Sequence, residues 1–182
     1  MNFVDPIKSR EDIYKVENWL AERNPRNRLI FAMGVNLGLR ISDILELNVS
    51  DVYNKTHVEI REKKTNKYKR FILNDKLQKL IKEYLKDVPT KSKVPLFIGK
   101  KGHRLHRSQV YRFLNEACKA VGLSENIGCY SLRKSFGYHH FKQYNDIVLL
   151  QKIFNHSSPA VSLFYIGIDQ ETIDNSYRNF EL

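Results

Sequence analysis

The sequence has few of the residues that build metal sites and disulfide frameworks. It contains two cysteines, Cys118 and Cys129, among 182 residues, and neither their number nor their spacing matches a disulfide framework or a zinc site. His139 and His140 are adjacent, and adjacent residues on a helix point in different directions. The pattern therefore predicts no metal site, and it favours two core thiols in a reducing cytoplasm.

Long apolar runs are missing as well. No run approaches the roughly 20 residues that a membrane-spanning helix needs. The first residues, MNFVDPIKSRED, lack the apolar segment of a signal peptide. We expect a cytoplasmic protein, associated with the nucleoid and without a membrane partner.

Acidic residues are in the minority. Lys and Arg total 31 against 20 Asp and Glu, which gives a formal net charge of +11. Such a surplus favours a polyanionic partner, because neutralising phosphates releases condensed counterions. Nucleic acid is the first hypothesis, and a basic surface that only keeps the protein in solution is the alternative.

The length allows one well-buried domain and is short for two. Ser9 is a plausible cap for a first helix, a second helix follows Asn24-Pro25, and a short third helix starts with Ser42 as its cap. This placement puts Arg40 at a junction between helices. With most of the remaining chain also helical in pattern, we expect one domain over residues 1–182.

The period of the apolar residues changes between residues 57 and 73. The segment HVEIREKKTNKYKRFIL carries β-branched and aromatic residues on both sides of Thr65-Asn66-Lys67. This pattern predicts a basic β-hairpin with its turn at those three residues. The predicted fold class is mainly α-helical with a small antiparallel β-sheet.

Four segments occur in a recognisable order: GLRISDILEL, KKTNK, YSLRKSFGYH and NHSSPAVSLFY. Together they resemble the catalytic domain of the tyrosine recombinases, the phage integrase family. The resemblance runs from about Ser9 to the end of the chain. Its spacing is specific, since His156 follows Arg133 by 23 residues and Tyr165 follows His156 by nine.

The resemblance implies a phosphate-binding site. Arg40 and Arg133 are similar to the two arginines that clamp the scissile phosphate, as planar guanidinium groups do well. His156 is similar to the histidine that supports that phosphate. Asp43 matches an acidic position that helps to orient the site.

The resemblance also implies a reaction. Tyr165 is similar to the nucleophile, and Lys64 to the hairpin lysine that acts as general acid. The family cuts and rejoins DNA through a 3′-phosphotyrosyl bond without metal, ATP or another cofactor. Strand exchange passes through a four-way junction within a tetramer, so double-stranded DNA and further copies of this chain are the implied partners.

Two positions depart from the family pattern. Tyr130 stands where the family usually has a histidine, three residues before Arg133. As a catalytic residue its phenol can still hydrogen-bond the phosphate or the nucleophile, but it is a poor base at neutral pH. Asn155 replaces a glycine before His156, and Asn tolerates the left-handed backbone better than most residues. Tyr130 keeps open an alternative function, a DNA-binding regulator with the recombinase fold and weak or no catalysis. A relaxing enzyme that rejoins the same strand is a third hypothesis.

The DNA contacts and the chain ends are the remaining expectations. Basic residues near the hairpin tip, in the loop KKGHRLHR and beside Arg133 are candidate DNA contacts: Lys63, Lys67, Lys100, Lys101, Arg104, Arg107 and Lys134. The tail of residues 167–182 either docks on a neighbouring protomer, as in the family, or folds onto its own core. Only about eight residues precede the first helix, and Met1 so near that helix favours a naturally small recombinase over an excised domain.

Overall fold

The computed structural model describes residues 4–61, 68–86, 94–99, 102–123 and 126–181. The first four helices are α1 (Arg10–Ala21), α2 (Pro25–Leu37), α3 (Ile41–Leu45) and α4 (Val49–Val52). The Ser9 hydroxyl accepts a hydrogen bond from the amide of Asp12, and Pro25 occupies the first position of α2. Both predicted helix starts are therefore confirmed. The first amide groups of a helix have no partner within it, so a side-chain acceptor such as Ser9, or a proline such as Pro25 that has no amide proton, is favourable there.

The predicted cap of α3 is wrong. The capping position is Arg40, with φ −69° and ψ 144°, and Ser42 lies inside the helix. The reason is the exit from α2, which turns at Gly38 with φ 61°. A left-handed residue reverses the chain quickly, so α3 starts after only Leu39 and Arg40. The prediction that Arg40 lies between two helices is confirmed.

A β-hairpin follows, formed by β1 (His57–Arg61) and β2 (Tyr68–Ile72) in antiparallel register. Val58 pairs with Phe71 and Ile60 pairs with Lys69, so these four side chains share the inner face. The predicted two-strand sheet is confirmed. Its predicted turn, Thr65-Asn66-Lys67, lies outside the described residues.

Helices make up most of the remaining described chain. They are α5 (Asp75–Leu85), α6 (Arg107–Ala120), α7 (Cys129–Tyr144), α8 (Ile147–Phe154), α9 (Pro159–Ile166) and α10 (Ile168–Asn179). The mainly helical fold class is therefore confirmed. Within the described ranges, none of these helices combines the length and the apolar character that a membrane crossing requires.

Two hydrophobic clusters lie on either side of α7. The larger cluster takes buried residues from α1 to α6 and ends at Leu132 in the first half of α7. The smaller cluster contains Leu150, Phe154, Ile166 and Ile168. A Cβ atom on Gly34 of α2 would lie 2.7 Å from Leu132, and one on Gly137 would lie 2.6 Å from Ile166. Glycine therefore lets α7 approach a neighbouring helix closely on both sides.

The tail after Tyr165 divides into two parts. Ile166 and Ile168 are buried in the smaller cluster of the same chain. Ile173, Tyr177 and Phe180 are exposed, Tyr177 by 81%. The start of the tail, up to Ile168 at the first position of α10, thus folds onto its own core. Ile173 and Tyr177, later in α10, and Phe180, directly after it, are exposed to solvent.

Candidate active site

Arg133 holds three helices together at the centre of the site. It lies one turn into α7 and is only 3% exposed. Its guanidinium donates to the carbonyl oxygen of Gly38 at 2.5 Å and to that of Phe154 at 3.0 Å. These carbonyls are at the ends of α2 and α8, where helix geometry leaves C=O groups without partners. The guanidinium also lies 4.3 Å from the centroid of the Phe154 ring.

Arg40 lies two residues after Gly38, whose carbonyl oxygen binds Arg133, and it extends into the same site. It is half-buried, and its guanidinium lies 3.8 Å from the carboxylate of Asp43. Asp43 is buried on α3. A buried carboxylate beside an arginine restricts where the guanidinium can go, which agrees with the orienting role that the sequence assigns to Asp43.

His156 lies on the turn between α8 and α9. Asn155 ends α8 with φ 55°, so the prediction of a left-handed residue there is confirmed. The Nδ1 atom of His156 lies 3.0 Å from the hydroxyl oxygen of Ser162, which is fully buried. When that hydroxyl donates to Nδ1, the imidazole proton sits on Nε2, and Nε2–H can donate to a phosphate oxygen.

The electrostatic surroundings keep His156 neutral. Burial lowers its pKa, and the positive charges of Arg133, Arg40 and Lys69 act in the same direction, so that together they bring the pKa to about 4. An imidazole with this pKa is neutral at pH 7 and accepts a proton poorly. His156 is therefore suited to hydrogen-bond donation rather than to general base catalysis.

Tyr165 on α9 faces the same groups. Its ring centroid lies 5.1 Å from that of His156, with the rings inclined by 70°. Burial raises the pKa of Tyr165, while the charges of Arg133 and Arg40 and a hydrogen bond with Arg133 lower it. The structure therefore brings Arg40, Arg133, His156 and Tyr165 together, from four separate parts of the chain.

Tyr130 lies at the exposed edge of this site. It is the second residue of α7 and is 47% exposed. The guanidinium of Arg107, at the start of α6, lies 5.1 Å from the centroid of its ring. Both residues line a small cavity of about 40 Å³, together with Arg40, Ile41, Ser42 and Cys129. Two arginines and two hydroxyl groups make this cavity suitable for an anion.

The predicted DNA contacts differ in their surroundings, and several lie in segments that the structure does not describe. Four of them lie outside the described residues, namely Lys63, Lys67, Lys100 and Lys101. The predicted general acid, Lys64, lies outside them as well. Arg107 is exposed beside Tyr130, as a DNA contact requires.

Two other predicted contacts have partners within the protein. The Arg104 guanidinium donates to the carbonyl oxygens of Leu45 and Leu47 at 3.1 and 3.0 Å. Lys134 is buried, with its ammonium 5.4 Å from the centroid of the Tyr165 ring. Burial lowers the pKa of Lys134, and the charge of Asp5 opposes that shift. For both residues these surroundings favour a role inside the fold, and DNA contact stays a prediction.

Sequence reasoning missed two residues beside His156. Ser162 is six positions after it and looks like an ordinary helix residue in the sequence. Lys69 follows the hairpin turn and donates to the carbonyl oxygen of Ile153 at 2.6 Å. Strand alternation is the available signal, because Lys69 and Phe71 share one face of β2.

Comparison with known proteins gives the site its context. The model of the phage integrase family matches residues 10–171. The probable integrase/recombinase YoeC of Bacillus subtilis (strain 168) is 44% identical over 181 residues, covering 99% of this chain and 98% of YoeC. The chain spans about half the length of other relatives, which are named tyrosine recombinases XerC and XerH.

Solved structures of tyrosine recombinases share the fold. The XerA recombinase matches with a TM-score of 0.79 at 19% identity, over 99% of this chain and 68% of XerA. XerH bound to a palindromic difH substrate, in a post-cleavage complex, matches with a TM-score of 0.76 at 23% identity, over 98% and 54%. A lambda integrase tetramer bound to a Holliday junction matches with a TM-score of 0.70 at 18% identity, over 91% and 49%. The chain therefore belongs to the phage integrase family and is a tyrosine recombinase.

Proposed function

We propose that this protein is a site-specific recombinase that cuts and rejoins DNA through a 3′-phosphotyrosyl intermediate. The observation that carries the proposal is the position of the Tyr165 phenol, which lies within the charge field of Arg133 and Arg40 and packs edge-on against His156. Two arginines beside the phenol could bind a phosphodiester, whose phosphorus would then be close to the Tyr165 oxygen.

The proposed step is a transesterification. The Tyr165 oxygen bonds to phosphorus, the bond from phosphorus to the 5′ oxygen breaks, and the 5′ oxygen takes a proton from Lys64. The phenol proton leaves to water, because His156, with a pKa of about 4, accepts it poorly at neutral pH. Arg40, Arg133 and the Nε2–H of His156 stabilise the charge that builds up on the phosphoryl oxygens. The new phosphotyrosyl ester replaces the old phosphodiester, so rejoining reverses the step without ATP.

Double-stranded DNA and further copies of this chain are the proposed partners. The net charge of +11 supports the first, as do the relatives solved with DNA. For the second, Ile173 and Tyr177 are exposed four residues apart on α10, and Phe180, directly after the helix, is also exposed. Residues four apart share one helix face, and these exposed apolar side chains support exchange of residues 167–182 between protomers of a tetramer.

The test is covalent trapping on a nicked DNA substrate from the protein's own locus, in which the nick prevents rejoining. The wild-type chain is expected to form a covalent adduct. Tyr165→Phe should lower adduct formation by at least about a thousandfold, because no other group replaces the nucleophile. Tyr144→Phe removes a phenol that is exposed outside the site and should leave the adduct unchanged.

Two outcomes would contradict the proposal. An adduct that persists in Tyr165→Phe would assign the nucleophile to another residue. DNA binding without any adduct in the wild-type chain would favour the regulatory function, for which Tyr130 in place of a histidine is the supporting observation.

A further inference from the structure

Lys69 is an inward-facing lysine in a two-stranded sheet. It pairs with Ile60, whose side chain is buried, and both lie on the face of the hairpin that packs on the protein. A lysine on such a face loses hydration and needs an acceptor. Lys69 has one in the carbonyl oxygen of Ile153, at 2.6 Å. The hairpin is thereby joined to the end of α8.

The end of α8 is held by two cations on consecutive carbonyl oxygens. Lys69 binds that of Ile153, and Arg133 binds that of Phe154 at 3.0 Å. The last carbonyl groups of a helix lack intrahelical donors and carry its negative partial charge, so cations stabilise this turn. Asn155 then reverses the chain, and His156 follows directly. The position of the imidazole depends on where this last turn is fixed.

The charges around His156 come from three elements. Arg133 reaches it from α7, Arg40 from the segment before α3, and Lys69 from β2. The Tyr165 phenol and the Ser162 hydroxyl face it from α9. Among the described residues of the hairpin, Lys69 is thus the one whose positive charge acts on the His156 imidazole.

We propose that Lys69 is a positioning residue, which holds the carbonyl of Ile153 and thereby sets the His156 imidazole for donation to the scissile phosphate. The hairpin would then have two roles in catalysis. The segment that joins its strands contains the proposed general acid, Lys64, and its second strand fixes the position of His156 through Lys69. This inference rests on the proposed function for its consequence in catalysis. Its structural part, the link from Lys69 to His156, does not.

The experiment compares Lys69→Met, Lys69→Arg and Arg70→Met with the wild-type chain. Arg70 is the next residue on β2 and is exposed on the opposite face, so Arg70→Met removes one positive charge without touching Ile153. The first readout is the NMR titration of the His156 imidazole in the free protein, assigned with His156→Gln. The second is the rate and pH profile of adduct formation on nicked DNA.

Lys69→Met should raise the pKa of His156 above its wild-type value of about 4, because one nearby positive charge is gone. It should also lower the adduct rate by about ten- to a hundredfold, as expected when a reacting group is misplaced. Lys69→Arg should restore both, since it keeps the charge and the donors. Arg70→Met should match the wild type in both.

The proposal fails if Lys69→Met titrates and reacts like Arg70→Met. It also fails if Lys69→Arg behaves like Lys69→Met while all variants unfold at the same temperature, since packing rather than donation would then matter. If the wild-type chain forms no adduct, the proposed function fails, whereas the His156 titration still decides whether Lys69 lies beside the imidazole.

Discussion

The two hydrophobic clusters contribute differently to the active site. Leu39 and Ile41, on either side of Arg40, belong to the larger cluster, whose buried residues come from α1 to α7. His156 and Tyr165 lie on the smaller cluster, which has four buried residues, Leu150, Phe154, Ile166 and Ile168. Since local stability follows the number of buried apolar contacts, we expect the smaller cluster to open at a lower free energy than the larger one. Arg40, proposed to bind the phosphate, is then on the more stable region, and His156 and the proposed nucleophile Tyr165 are on the less stable one.

Arg133 connects the two regions. Its guanidinium bonds the end of α2, in the larger cluster, and the end of α8, in the smaller one. In the proposed reaction, Arg133 would therefore bind the phosphate while also joining the two regions that carry the other proposed site residues. Substitutions in the two regions should therefore differ in their effects on stability and on adduct formation.

The largest effect is expected for Arg133→Ala. It leaves the carbonyl groups of Gly38 and Phe154 without their donor inside the protein, which should lower the free energy of unfolding by about 3 kcal/mol. Adduct formation should fall at least about a thousandfold. Urea denaturation and trapping on nicked DNA measure the two effects.

Two further variants serve as a second test and a control. Arg133→Lys keeps a cation but cannot bind both carbonyl groups in the same way, so it should fold and still react far more slowly. Arg112→Ala removes an exposed arginine from α6 and should change neither quantity. Normal adduct formation in Arg133→Ala would show that the two clusters do not need this connection.

A matched pair of glycines comes next in size. Gly137→Ala places a methyl group 2.6 Å from Ile166 in the smaller cluster, and Gly34→Ala places one 2.7 Å from Leu132 in the larger. Overpacking costs about 1–3 kcal/mol in either place. Gly137→Ala should also slow adduct formation about tenfold, because it displaces the helix of Tyr165.

Gly34→Ala is the control for that pair. It should destabilise the protein while leaving the adduct rate of the folded molecules unchanged. Thermal unfolding and adduct formation below the melting range separate the two quantities. Equal loss of adduct in both variants would remove the functional distinction between the clusters.

The smallest effect concerns pH. His156 has a pKa of about 4 in the folded protein, whereas an unfolded histidine titrates near 6.5. Between these values the unfolded chain binds the proton and the folded one does not. Stability should therefore fall as the pH drops from about 6.5 to about 4 and level off below.

The melting temperature across this pH range measures the effect in the wild type and in His156→Gln. Burial also lowers the pKa of His139 and His140, so both proteins lose stability on acidification. The contribution of His156 is the difference between the two slopes. Identical slopes would mean that His156 has the same pKa in the folded protein as in the unfolded chain.

Much of the fold follows from short-range signals in the sequence. Ser9 and Pro25 mark helix starts that the structure keeps, and Asn155 has the left-handed backbone expected of it. Such signals work because their partners are only a few residues away. The cap of α3 was predicted wrongly because it depends on how α2 ends at Gly38, and the sequence pattern around Ser42 does not contain that information.

The spacing of Arg40, Arg133, His156 and Tyr165 along the chain is enough to predict which residues carry the chemistry. What surrounds these side chains depends on tertiary packing. The contact of Lys69 with Ile153 spans 84 residues, and that of Arg133 with Gly38 spans 95. Hydrogen bonds over such separations depend on how helices and strands pack, and packing is a property of the whole chain rather than of any local pattern.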